Sequence, residues 1–239
     1  MCTEKLVRTL LFVVDTSLNM IGDGINTVND AIRKVIEHIR NYLDSEQNTV
    51  VRISVLESSD ASGYRMSELE PIIAGYTWKD INATDSDAKI SEAFKKIDEK
   101  LSNDKSIDAY DGTPNLGIVL IVSQKFDENW EVCLNNLFCN KNKKFGHSIR
   151  SAVVFGDESN SKCPTKLSLL RFTSVKRYDD LTDEPVTNDD GTYKHDNNEV
   201  AVAYRNYVDG FREAIIQESI SVVNMLFSIN ETQQELLYE

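Results

Sequence analysis

The sequence predicts an α/β fold, in which a mostly parallel sheet of about six strands is covered by helices on both faces. Short, continuously apolar segments recur along the chain, which is typical of strands buried on both faces of a parallel sheet. Segments whose apolar residues repeat at helical spacing alternate with them. The chain has 239 residues, 41% of them hydrophobic, so we expect one domain with a large core.

The first strand and the first helix have the clearest patterns. Residues 9–14 (TLLFVV) form a continuous apolar run that ends at Asp15, where a polar, glycine-containing loop begins. From Ile25 to Leu43 the apolar residues return every three or four positions, as on the buried face of a helix. This part of the chain is therefore predicted to be a buried strand, a loop and a long amphipathic helix.

The later elements are predicted from the same two patterns. The predicted strands lie at 50–56, 68–75 (an edge strand), 116–122, 148–155 and 172–178. The predicted helices lie at 87–104, 127–138 and 200–225, with a helical turn near 165–170. Residues 226–239 have no long periodic stripe, so we expect a domain over residues 1–225 followed by a C-terminal tail or a frayed helix.

The chain is strongly acidic, with 26 Lys and Arg against 39 Asp and Glu, a formal charge of −13. This balance argues against a nucleic-acid binder. Residues 179–199 hold eight acidic residues and one basic, and are either a solvated insertion or a docking surface. No apolar stretch approaches the ~20 residues that span a bilayer. We therefore expect no membrane association and a cytoplasmic location, with the cysteines reduced.

Polar residues follow the first predicted strand at every second position. Asp15, Ser17 and Asn19 carry a carboxylate, a hydroxyl and an amide oxygen. Ligands of open parallel sheets bind at the carboxyl ends of the strands, and oxygen donors of this kind suit Mg²⁺. The spacing suggests a cation site, while the alternative is that Asp15 caps its own loop by accepting backbone N–H bonds.

At this point the chain resembles the von Willebrand factor A (VWA) domain family. That family places a D-x-S-x-S motif after its first central strand as the main part of a metal-ion-dependent adhesion site, and residues 12–20 (FVVDTSLNM) are similar to it. Residues 77–97 resemble the region that carries the family's metal-binding threonine, and residues 117–130 the region that carries its second aspartate. Segments at 152–160 and 211–222 look most like the bacterial branch associated with tellurium resistance. The resemblance implies a Rossmann-like three-layer sandwich.

The metal-binding positions depart from the family pattern. The alignment puts Ala88 where the threonine ligand is expected, Ser123 where the aspartate is expected, and Asn19 in place of a serine. Asp87 compensates only if its loop turns inward. Losing a carboxylate and an oxygen ligand implies a degenerate Mg²⁺ site that is empty or binds weakly. The site residues implied by the resemblance are Asp15, Ser17, Asn19, Asp87 and Ser123.

The resemblance implies a non-enzymatic protein–protein interaction module, such as a scaffold in a bacterial stress response or in phosphorylation-linked signalling. The partners it implies are a protein kinase or a PP2C-like phosphatase. The alternative is an aspartyl-phosphate-type phosphoryl-transfer enzyme, or a phospho-acceptor, centred on Asp15, although phosphatases of that pattern need a second carboxylate where this chain has Ser17. None of the histidines, His38, His147 and His195, lies in a nucleophile–base pattern, so we expect no enzyme.

Overall fold

A computed structural model describes residues 5–44, 48–107, 115–123, 127–139, 144–156, 172–173, 201–204 and 208–236. The strands in these ranges are β1 (Leu6–Asp15), β2 (Thr49–Ser58), β3 (Glu70–Pro71), β4 (Leu116–Ser123), β5 (Ile149–Gly156) and β6 (Ala201–Tyr204). The α-helices are α1 (Asp23–Leu43), α2 (Ile90–Asn103), α3 (Trp130–Cys139), α4 (Lys144–His147) and α5 (Val208–Leu236). Short 3₁₀ helices lie at Leu18–Met20 and Lys105–Ile107.

The strands form one sheet in the order β3-β2-β1-β4-β5-β6. All neighbouring strands are parallel except β3, which runs antiparallel to β2 at the edge. The chain adds strands first on one side of β1 and then on the other, so the strand order reverses between β1 and β4. Such a reversal opens a crevice at the carboxyl ends of the two strands. The predicted α/β class and the mostly parallel sheet are confirmed.

Helices cover both faces of the sheet and give a three-layer sandwich. Helices α1 and α5 pack on one face, and α2 and α3 pack on the other. Strand β1 is continuously apolar because both of its faces are buried. Phe12 and Val14 belong to the core on the side of α1 and α5, and Leu11 and Val13 belong to the core on the side of α2 and α3. No helix of the described ranges is both long and apolar enough to cross a membrane.

The C-terminal part differs from the prediction. Residues 201–204 were expected to begin a helix, but they pair in parallel with β5 as β6, so this part of the prediction is wrong. A four-residue apolar run fits either structure, and its pairing partner is distant in sequence. Helix α5 continues past residue 225, where a tail or a frayed helix was expected, and Leu226 and Phe227 are buried in the core.

Three predicted features fall wholly or mostly on residues that the structure leaves undescribed. The helical turn near 165–170 and the acidic segment 179–199 lie outside the described residues. Of the strand predicted at 172–178, only Phe172 and Thr173 are described, and neither is in a strand. These three predictions therefore stay predictions.

The connection from β3 to α2 is held against α1 by a buried asparagine. The Asn29 side-chain Nδ2 donates a hydrogen bond to the Ile81 carbonyl at 2.9 Å. Its Oδ1 accepts bonds from the Trp78 indole N–H and the Ile81 backbone N–H, both at 3.0 Å. Because this clamp fixes the path of the connection, it leads the following residues, 84–87, to the carboxyl edge of the sheet.

Replacing Asn29 by Ala is expected to lower the free energy of unfolding by about 2–3 kcal/mol, because three polar groups lose their partners in a buried place. Urea denaturation measures the loss, and Trp78 emission is expected to shift to the red as the indole becomes more exposed. Asn26→Ala, on the exposed side of the same helix, is the matched control and should change stability by no more than ~0.5 kcal/mol. Equal losses of unfolding free energy in Asn29→Ala and Asn26→Ala would contradict the claim that the Asn29 side chain holds the connection in place.

Candidate functional site

Asp15 is the centre of the crevice at the ends of β1 and β4. Its side chain is only 4% exposed. One carboxylate oxygen, Oδ1, accepts a bond from the Ser17 backbone N–H at 2.8 Å. The other, Oδ2, accepts bonds from the Ser123 backbone N–H at 2.9 Å and from the Ser123 hydroxyl at 2.5 Å. The parallel pairing of β1 with β4 brings these residues together, and both carboxylate oxygens are occupied by donors of the protein itself.

Two more of the expected site residues lie at the same place. The Asn19 side-chain Nδ2 donates to the Ser123 hydroxyl at 3.3 Å. Ser17 is 3% exposed, and its hydroxyl has no hydrogen-bond partner among the described residues. The structure thus brings together Asp15, Ser17, Asn19 and Ser123, as the strand-end positions indicated.

Asp87, the fifth expected residue, lies elsewhere. The expectation was that it compensates for the lost carboxylate if its loop turns inward. Its side chain is exposed, and its backbone carbonyl accepts a bond from the Asp60 N–H at 2.9 Å, so the loop turns outward at this residue. Asp87 is therefore on the rim of the crevice, and Asp15 keeps serine donors as its neighbours.

The loop before α2 contributes Thr84, which the alignment missed. The Thr84 backbone N–H donates to the Thr16 carbonyl at 2.8 Å, and its hydroxyl donates to the same oxygen at 3.1 Å. The Thr16 hydroxyl donates to the Ser59 hydroxyl at 2.9 Å, and the Ser59 and Thr84 hydroxyls are 3.2 Å apart. These hydroxyls join the loops after β1 and β2 to the loop before α2.

A sequence signal for both residues existed. Thr84 lies inside the segment that resembles the threonine region, four residues before Ala88, but the alignment followed the register of helix α2 rather than that of the loop. Ser59 directly follows β2, and polar residues at the ends of parallel strands are candidates for the same crevice. For Thr84 and Ser59, the loops at the carboxyl edge of the sheet therefore indicate the site residues better than an alignment based on helix α2 does.

The loop after β4 also carries Asp127, whose carboxylate caps helix α2. It accepts bonds from the Ser91 backbone N–H at 2.9 Å and from the Asn129 backbone N–H at 3.1 Å. Burial alone would raise the pKa of the Asp127 carboxyl, but these hydrogen bonds outweigh it and hold the pKa below its ordinary value. Asp127 therefore connects the crevice loop to the start of α2 and is not part of the Asp15 cluster.

Replacing Asp127 by Ala is expected to lower the free energy of unfolding by about 1 kcal/mol near neutral pH, as the loss of a helix cap does. Because the folded-state pKa is depressed, the charged cap stabilises the fold above the unfolded pKa, and this contribution is lost as pH falls through the folded pKa. The difference between the wild type and Asp127→Ala should therefore narrow below about pH 4. Urea denaturation across this pH range measures it, and a difference that stays constant down to the lowest pH would contradict the cap.

The donor set does not fit a tightly held Mg²⁺ ion. Asp15 is the one carboxylate in its cluster, and both of its oxygens already accept hydrogen bonds. In the part of the chain that the structure describes, no group of three or more His, Cys, Asp or Glu residues is placed to hold a metal. Carboxylate count is a main determinant of affinity at such sites, and this cluster offers one carboxylate with hydroxyl and amide neighbours.

The fold is similar to that of a pilus adhesin of known structure. Two crystal structures of the pilus adhesin SpaC from Lactobacillus rhamnosus GG, one of them in an open conformation, match with TM-scores of 0.56 and 0.53 at 10% sequence identity. Each match covers 93% of this chain but only 31% or 30% of the adhesin, so the chain spans about a third of that protein's length. At this identity the likeness shows the fold alone. No family model and no curated protein matches the sequence.

Proposed function

We propose that the chain is a VWA-type module that binds a partner protein at the crevice between the ends of β1 and β4, without enzymatic activity and with weak or lost divalent-metal binding. The observation that carries the proposal is the environment of Asp15, whose two carboxylate oxygens accept three hydrogen bonds from Ser17 and Ser123. The same environment of Asp15 also decides how well phosphoryl transfer and metal-dependent binding fit the site.

The occupied carboxylate argues against phosphoryl transfer. An aspartate that forms an aspartyl-phosphate attacks phosphorus with a carboxylate oxygen, which must be free and reachable by the substrate. Asp15 is buried, and its Oδ2 is held by two donors of Ser123. Oδ1 accepts one further bond, from the Ser17 N–H, and the carboxylate is shielded from a substrate by its burial, so we favour binding over catalysis.

Hydrogen bonds take over the role that a cation plays in the family this chain resembles. There, as the resemblance implies, a metal joins the crevice loops and receives a carboxylate of the partner. Here the Ser123 hydroxyl meets Asp15 directly, and Thr84 is bonded to Thr16 through both its backbone and its side chain. These bonds are sufficient to hold the loops together, so we propose that the site needs no ion and that protein groups bind the partner.

Two further considerations support an interaction role. The structural neighbours carry the name of a pilus adhesin, which is compatible with protein interaction, and they share this fold. The resemblance to the bacterial tellurium-resistance branch adds a cytoplasmic scaffold in stress-response or phosphorylation-linked signalling, with a protein kinase or a PP2C-like phosphatase as partner. We propose these partners as the first to be tested.

The experiment is affinity capture from an extract of the native host on the immobilised full chain, in buffer containing EDTA. Ser17→Ala tests the crevice without disturbing the fold, because the hydroxyl it removes has no partner among the described residues. Ser151→Ala is the matched control, since Ser151 has an equally buried and unpartnered hydroxyl on β5. We expect one partner to be held by the wild type and by Ser151→Ala, and to be lost from Ser17→Ala.

Two results would contradict the proposal. Capture of the partner only in the presence of Mg²⁺ or Mn²⁺ would show that binding at the site depends on a metal ion. Hydrolysis of p-nitrophenyl phosphate or ATP by the purified chain, abolished by Asp15→Asn, would replace the binding module with the phosphoryl-transfer enzyme.

A further inference from the structure

An apolar pair is exposed at the rim of the crevice. Leu18 is 54% exposed and Ile21 is 50% exposed, and both belong to the loop that begins at Asp15. The Ile21 N–H donates to the Leu18 carbonyl at 3.2 Å, so the two residues lie on one turn. Exposed apolar residues at a candidate site, bordered by polar ones, are typical of protein-interaction surfaces.

Unpaired carboxylates border this apolar pair. The Leu18 N–H donates to the Ser86 carbonyl at 2.9 Å, which places Leu18 beside the residues flanking Ser86, Asp85 and Asp87. Asp23 follows Ile21 by two residues, at the start of α1. All three aspartates are exposed, and in the part of the chain that the structure describes none of them forms an ion pair.

Two described cations close to this part of the chain pair with other carboxylates. The Lys89 ammonium lies 3.8 Å from an Asp60 carboxylate oxygen, and the Arg65 guanidinium lies 2.6 Å from a Glu57 carboxylate oxygen. Each of these cations is therefore committed to another carboxylate. Among the described residues the rim therefore presents three aspartates without an ion pair, and such negative charge attracts cationic groups and speeds their association.

A third observation lies at the base of the same loop. The Ser17 hydroxyl, between Asp15 and Leu18 in the chain, is buried and has no hydrogen-bond partner among the described residues. An unpaired buried hydroxyl costs free energy, and a ligand that supplied the missing bond here would recover it.

We propose that the rim surface, formed by Leu18, Ile21, Asp23, Asp85 and Asp87, binds a basic protein segment that places an apolar side chain beside Lys or Arg residues. This inference rests on the proposed function and specifies the chemistry of the partner. A second copy of the chain is a poor occupant, because the whole chain carries a formal charge of −13 and would repel itself at this surface. The partner chemistry is also the reverse of the acidic ligand that a metal-dependent site receives.

The test is a fluorescence-anisotropy titration of the full chain with three labelled peptides of equal length. The first alternates Lys and Arg with a central Leu-Ile pair, the second replaces its cations with Glu, and the third replaces Leu-Ile with Ser-Ser. We expect the first to bind most tightly, and raised salt to weaken it. The triple variant Asp23→Asn, Asp85→Asn, Asp87→Asn and the single variant Leu18→Ser should each weaken this binding by about tenfold.

The control is a triple variant with the same change of charge on the helices, Asp30→Asn, Glu37→Gln, Glu99→Gln, which should bind the first peptide as the wild type does. Equal binding of that peptide by the wild type and the rim variant would overturn the inference. Preference for the acidic peptide would overturn it as well. If no basic peptide binds while a host partner is still captured through Ser17, this inference fails and the proposed function stands.

Discussion

Replacing Asp15 by Ala is expected to lower the free energy of unfolding by about 3–4 kcal/mol, the largest loss among the variants of the crevice. The substitution leaves the Ser17 N–H, the Ser123 N–H and the Ser123 hydroxyl without their acceptor in a buried place. Hydrogen bonds to a charged group contribute more than neutral ones, and unpaired buried donors keep the cost of their lost hydration. Urea denaturation at neutral pH measures the effect.

Two milder variants separate the parts of this network. Asp15→Asn keeps the shape and one acceptor oxygen, and Ser123→Ala removes the hydroxyl donor while its backbone N–H still reaches Asp15. Each is expected to cost about 1–2 kcal/mol. In a double-mutant cycle, Asp15→Ala and Ser123→Ala should be strongly non-additive, because they remove the same contact. Additive losses, or a loss below ~1 kcal/mol for Asp15→Ala, would show that the carboxylate does not organise the loops.

Replacing Gly117 by Ala is expected to lower the free energy of unfolding by about 2–3 kcal/mol, although it adds a single carbon. A Cβ at this position on β4 would lie 2.5 Å from Val222 Cγ1 and 2.9 Å from Leu226 Cδ1 on helix α5. Val222 is β-branched and stiff at χ1 within a helix, so the helix has to move to relieve the overlap. Thermal and urea unfolding both report this loss.

A second substitution tests the cause. Val222→Ala removes the nearest clashing methyl group, so we expect the double variant Gly117→Ala, Val222→Ala to be more stable than the sum of the single losses predicts. Ala152→Gly is a control for backbone entropy, since it makes the reverse change on the neighbouring strand. Additive losses for Gly117→Ala and Val222→Ala would contradict close packing of α5 on β4.

The central strands were predictable because burial on both faces leaves a strong local signal. The run at residues 9–14 identified β1, although the strand itself extends from Leu6 to Asp15. Arg8 interrupts the apolar pattern, yet it is buried, and its guanidinium donates to the Asn115 side chain. The partner of Arg8 lies 107 positions away in the sequence, so no local pattern indicates that this arginine is buried. The strand predicted from the apolar run is therefore shorter than β1.

Some residues of the crevice could likewise be predicted from the local sequence, whereas the positions of others depend on tertiary contacts. Asp15 and Ser123 were predictable because each ends a buried strand, and the ends of adjacent parallel strands meet at one edge. Thr84 was missed because its place depends on the path of the β3–α2 connection, which the Asn29 clamp fixes through tertiary hydrogen bonds. Ser59 was missed although its position directly after β2 indicated it. Asp87 was expected to contribute if its loop turned inward, and the direction of that loop follows from the path of the same connection.

The most direct test of the central claim, that hydrogen bonds replace the cation in this crevice, is a calorimetric titration of Mg²⁺ and Mn²⁺ into the wild type, Ser123→Asp and Ser123→Asn. Ser123→Asp sets a second carboxylate against Asp15, so the two repel each other without a cation and bind one together. Ser123→Asn is the uncharged control of the same shape.

We predict no saturable heat for the wild type or Ser123→Asn at millimolar cation. For Ser123→Asp we predict binding of one ion, with a melting temperature that is lowered in EDTA and restored by the cation. Binding of one ion to the wild type at submillimolar concentration, abolished by Asp15→Asn, would contradict the account.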